Sequence, residues 1–170
     1  ISSDMISGIM VLDRVPAYYN AAWLIPAVLG ALGALALTVL AWPAAAVLRR
    51  IYKHPFTLEG KRKLVYRLVR VFAIAALAAV GSWFALQPMF LGETGYEKLA
   101  MIDKMILATQ FLTLLGFAGG LLISIWNLVL IWKESGNKRS KFWSVILMLS
   151  FGLLTYFGWI GNLYNFSTNY

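Results

Sequence analysis

Four long apolar stretches, at about 23–48, 69–91, 105–132 and 142–163, occupy most of this 170-residue chain. Each reaches or exceeds the roughly 20 residues that a helix needs to cross about 30 Å of hydrocarbon. No acidic or basic side chain falls in the central part of any of them. Hydrocarbon offers no partner to backbone N–H and C=O groups, so a spanning stretch of this length must satisfy its own as a helix. The pattern predicts an all-α fold, a polytopic membrane protein built as a four-transmembrane-helix bundle over 21–170. Residues 1–20 then form a short segment at one membrane surface. Composition removes the soluble alternatives, because a chain that is 61% hydrophobic and 13% charged cannot furnish an ordinary polar surface.

Charge sets the orientation. A net charge of +8 would suit a nucleic-acid partner in a soluble chain, but here the basic residues follow the gaps between spans. The first gap holds Arg49, Arg50, Lys53, Lys61, Arg62, Lys63, Arg67 and Arg70 against Glu59 alone. The third holds Lys133, Lys138, Arg139 and Lys141 against Glu134. Twelve of the fifteen Lys and Arg thus fall in two gaps on the same side, and loops rich in Lys and Arg stay cytoplasmic. Both termini and the mixed-charge loop 92–104 are expected to face outward. The first basic gap is also expected to attract anionic lipid, at about 1 kcal/mol per cation near the surface. Tyr18, Tyr19 and Trp23 at the outer entrance of the first span, Trp42 near its inner end, and Trp132, Trp143, Trp159 and Tyr164 further on fit the aromatic belts of a bilayer interface.

Residues 1–12 lack a basic leader region and carry Asp4 within their apolar run, so they do not read as a signal peptide. Ile1, Met5, Ile9 and Leu12 recur at helical spacing, which suits an amphipathic segment on the outer leaflet or the tail of an upstream domain. Pro26, Pro43 and Pro88 fall inside spans, where neighbouring helices can re-satisfy the freed backbone groups. Small residues mark where helices can approach closely: Gly30 and Gly33, Gly116 and Gly120, Gly158 and Gly161. The intramembrane polar set is Thr38, Ser82, Thr109, Gln110, Thr113, Ser124, Asn127, Ser150 and Thr155. Gln110 and Asn127 cost most to bury, and interhelical hydrogen bonds are their expected role.

Little in the chain points to chemistry. With no charge at mid-membrane it lacks the relays and gates typical of transporters. It has no cysteine, and its one histidine, His54, sits among cations in the first basic gap with no adjacent carboxylate. Neither a metal site nor a cofactor is expected. Ser135-Gly136-Asn137-Lys138 matches the S-x-x-K of penicillin-binding proteins, and Tyr18-Tyr19-Asn20 matches a Y-x-N. The topology puts these two strings on opposite faces of the membrane, whereas nucleophile and base must lie within hydrogen-bond reach. No catalytic residue is assigned, and the chain is not expected to be an enzyme by itself.

One resemblance runs through about 11–170. Asp13-Arg14-Val15-Pro16 leads through Tyr18 into a helix ending Ala41-Trp42-Pro43-Ala44-Ala45-Ala46-Val47-Leu48-Arg49-Arg50. Arg67-Leu68-Val69-Arg70 opens the second span, Trp132-Lys133 and Lys141-Phe142-Trp143 bracket the second basic gap, and Gly161-Asn162-Leu163-Tyr164-Asn165-Phe166 follows the last span. This order resembles the C-terminal transmembrane region of bacterial β-lactamase-like serine hydrolases of the CubicO, or penicillin-binding-protein-like, class. The resemblance implies a bacterial inner-membrane protein, multi-pass, with periplasmic termini and a periplasmic hydrolase domain before Ile1. Its catalytic serine and lysine would lie in that domain, so no residue role carries over.

The expected function is a non-catalytic membrane anchor that holds such a domain at the outer face. The alternatives are a small accessory subunit packed against a larger membrane complex, and a bundle that binds lipid or another hydrophobic ligand. An internal cavity lined by Gln110, Asn127 and nearby aromatics would favour the last.

Overall fold

A computed structural model describes residues 20–52, 60–91, 96–133 and 137–164, with the backbone alone given for 89–91 and 96–101. The expectations for 1–19, Lys53, His54 and the loop at 134–136 lie outside the described residues. The fold is all-helical: α1 (Ala21–Ile51), α2 (Gly60–Leu91), α3 (Tyr96–Leu114), a π-helical turn (Leu115–Gly119), α4 (Gly120–Lys133) and α5 (Lys138–Ile160). α3, the π turn and α4 run on as one span, so four helices are long and apolar enough to cross a membrane.

Local chemistry explains where the helices begin and end. Asn20 caps α1, its Oδ1 accepting from the Ala22 N–H at 2.9 Å. Asn137 plays the same part for α5, accepting from Arg139 N–H. α2 starts at Gly60, whose φ of 57° is left-handed and suits a residue with no Cβ. α5 closes in a Schellman turn. Asn162 takes φ 53°, Leu163 N–H donates to Gly158 O at 2.9 Å, and Asn162 N–H donates to Trp159 O at 3.2 Å.

The helices form a ring in which each packs against its sequence neighbours and α1 closes against α5. Trp23, at the start of α1, stacks on Tyr156, near the end of α5, with centroids 6.4 Å apart, so these helix ends share one face of the bundle. The interior is narrow. On α2, Val65, Val69, Ala73, Ala76 and Ala79 recur every three or four residues and bury completely or nearly so. They meet Leu35 from α1, Phe117 from the π turn, and Leu147, Phe151 and Leu154 from α5. Large apolar side chains such as Leu29, Leu37, Phe84, Phe111, Leu122 and Leu149 point outward. Among the described residues seven polar side chains, Gln110 and Thr113 included, are buried. Alanines, glycines and polar groups thus share the interior with a few large residues such as Phe117 and Phe151, and the many exposed bulky apolar side chains suit a surround of lipid.

Buried hydroxyls are satisfied within their own helices. Thr38 donates to Ala34 O, Thr113 to Thr109 O, Ser124 to Leu121 O, Ser144 to Lys141 O and Ser150 to Ile146 O, all at 2.7–2.8 Å. In two cases the same oxygen also ties helices together. Trp83 Nε1 of α2 donates to Thr113 Oγ1 of α3 at 3.0 Å, and Trp143 Nε1 of α5 donates to Thr38 Oγ1 of α1 at 3.2 Å.

The glycine assignments divide. An added Cβ on Gly116 would stand 2.9 Å from the Ala76 backbone, and one on Gly120 would strike the Phe151 ring, so both mark helix-to-helix contact. Gly30 and Gly33 do not: nothing lies within 4 Å of an added Cβ there, because that face of α1 points away from the bundle. Gly158 seats the Tyr164 ring of the returning chain rather than another helix, and Gly161 is the α5 cap.

Candidate functional site

α2 begins nine residues before the apolar stretch that marks it in the sequence. Lys61, Arg62 and Lys63 therefore occupy its first turn, and Arg67 and Arg70 continue up the helix. Arg49 and Arg50 close α1, Lys133 closes α4, and Lys138, Arg139 and Lys141 open α5. These cations gather at one end of the bundle, opposite the Trp23–Tyr156 pair. Those in the last turns of α1 and α4 complement the helix dipole, whereas those opening α2 and α5 stand against it. Arg139 and Lys138 thus add charge to the already positive N-terminus of α5.

Arg70 is the unusual member. It lies ten residues into α2, about 15 Å along the axis, and its side chain is partly buried. The 20 residues 69–88 alone cover the hydrocarbon thickness, which puts Arg70 at the boundary between headgroups and acyl chains. Its guanidinium carbon sits 3.3 Å from the centroid of the Tyr66 ring, and Nη1 donates to the Tyr66 carbonyl at 2.6 Å. Its Nε is buried without a hydrogen-bond partner.

Beside Arg70 opens a cleft of about 330 Å³ between α1, α2, α4 and α5. Arg70, Arg139, Asn137, Ser140 and Asn127 supply its polar wall, and Val69, Ile131, Trp143 and Leu147 its apolar one. Among the described residues no carboxylate lines it. A shallower groove between α1 and α2 shares Tyr66 and is lined by Arg49, Lys63 and Arg67. Lys141 stands 6.0 Å from the Trp132 ring at the same end.

Of the two amides expected to pair across helices, Asn127 does not do so. Asn127 faces the cleft and makes no interhelical hydrogen bond among the described residues, because its side of α4 looks onto open volume. Gln110 is buried in α3, away from that cleft, so the two amides do not line a shared cavity. The tryptophan–threonine pairs do tie helices together. Their signal in the sequence was weak, since an interfacial tryptophan ordinarily reads as a belt residue. Among the described residues no group of three side chains could hold a metal.

No family model, no curated protein and no solved structure matches the chain. The likeness to the hydrolase tail therefore rests on its short residue strings alone.

Proposed function

We propose that this chain is a non-catalytic membrane-anchoring module, four helices that hold a β-lactamase-like hydrolase domain at the outer face of a bacterial inner membrane. The observation that supports the anchoring role is the lipid-suited surface: four long apolar helices carry exposed large apolar side chains such as Leu29, Leu37, Phe84, Leu122 and Leu149, while alanines and intrahelically bonded hydroxyls share the interior with Leu35, Phe117, Phe151 and Leu154. The clustering of most cations at one end, against only Lys98 and Lys104 beside Glu97 and Asp103 at the start of α3, makes that end cytoplasmic by the positive-inside rule. Ala21 and Ile160 then both lie toward the periplasm, where a domain preceding α1 would stand.

Intact mass and N-terminal sequencing of the protein isolated from native membranes test the reading. A mass well above 19.0 kDa, with an S-x-x-K domain upstream, is the expected result. A native chain starting at Ile1 would overturn the anchor role and favour an accessory subunit.

A further inference from the structure

We propose that the cleft beside Arg70 is a binding site for the phosphate group of an anionic phospholipid, with Arg70 and Arg139 as its cationic walls. The inference needs the bundle to span a membrane and does not depend on any attached hydrolase.

Four observations converge on that ligand. The first is charge: two arginines and the N-terminus of α5 meet in a cleft that, among the described residues, no carboxylate lines. Helix N-termini and arginine forks are both suited to phosphate oxygens. The second is an incomplete arginine. Arg70 is stacked on Tyr66 and donates from Nη1, yet its buried Nε has no acceptor. A cation serving orientation alone needs only an exposed place at a helix end, as Arg50 and Lys138 have. An arginine drawn into a span needs partners, and such residues mark ligand paths. The third is depth, since Arg70 lies where phosphates end and acyl chains begin. The fourth is the size and lining of the cleft. Asn137, Arg139 and Ser140 line it at the start of α5 and Leu147 about 12 Å beyond Arg139, while Thr38, Asn127 and Ser144 are polar groups on its deeper wall. Polar groups for a phosphate thus lie beside apolar ones for a chain, and the volume falls within the range of small-ligand sites.

Native mass spectrometry of the full chain, released from neutral detergent with equal phosphatidylglycerol and phosphatidylcholine, tests the proposal. The wild type should retain phosphatidylglycerol with about tenfold preference, as one charge-assisted hydrogen bond would give. Arg139→Gln, at an exposed position that folding does not require, should abolish most of that preference, and Arg70→Gln should do the same. Arg50→Gln, exposed and outside the cleft, should leave it intact. A parallel arm adds inorganic phosphate to protein in phosphatidylcholine and follows the unfolding midpoint. A rise that Arg139→Gln removes keeps the site and assigns it to soluble phosphate. Equal retention of both lipids with no response to phosphate would overturn the proposal. So would an Arg50→Gln loss as large as that of Arg139→Gln, since the effect would then be diffuse charge.

Discussion

A single missing Cβ decides how closely two helices meet. Gly116 brings the π turn against the Ala76 backbone of α2, at a distance no larger residue could keep. Gly116→Ala should therefore destabilise the bundle by about 1–3 kcal/mol, as overpacking does, while Gly33→Ala, with open space around it, should be close to neutral. Unfolding of both variants in mixed micelles checks the contrast, and equal effects would refute it. Tyr164 offers a second test at this scale. Its hydroxyl donates to the Thr155 carbonyl at 3.2 Å, and burial pushes its phenol up to about 12. Neutral Tyr164 is thus favoured in the fold, a contribution fully present below about pH 10. It is lost as pH rises toward 12, because the unfolded phenol ionises first. An ultraviolet titration of the wild type minus Tyr164→Phe should show one late-ionising tyrosine, and the variant should lose less stability over that interval.

At the scale of the elements, two tryptophan–threonine bonds link neighbouring helices, α2 to α3 and α5 to α1. Each threonine donates to its own helix and accepts from a neighbour's indole, so one oxygen serves both. Removing the acceptor in Thr113→Val should cost about 0.6–2 kcal/mol. The double-mutant cycle with Trp83→Phe should return a coupling of similar size. A coupling near zero would mean that the bond adds nothing beyond packing. The interior of α2 shows how far such contacts were legible. Its stripe of Val65, Val69, Ala73, Ala76 and Ala79 has helical periodicity, but its first member, Val65, lies in the basic, less apolar part that a hydropathy reading assigns to a loop. The same boundary left Lys61, Arg62, Lys63 and Arg67 in a loop rather than on α2, because length and apolarity mark where a helix enters hydrocarbon and not where its backbone begins.

For the whole molecule, orientation is the property most exposed to test. The chain contains no cysteine, so single substitutions report without background. Asn162→Cys should react with a membrane-impermeant maleimide in spheroplasts, and Arg50→Cys should react only after lysis. The reverse pattern would place the basic end outside. Cations opening α2 and α5 oppose the helix dipole by about 0.3–1 kcal/mol each. Their concentration at one end therefore reflects the membrane surface, or a bound anion, more than helix stability.

Four spans, their approximate positions and the clustering of charge were determined by the sequence alone, because hydrocarbon imposes a length and an apolarity that composition displays directly. The face each helix presents was not so determined. Gly30 and Gly33 look outward while Gly116 and Gly120 look inward, though all four belong to similar small-residue patterns. In a lipid-facing helix apolar residues lie on every side, so periodicity carries little information about rotation about the helix axis. Only the packed bundle decided that rotation, and with it the meeting of Arg70, Asn127 and Arg139 from three helices around one cleft.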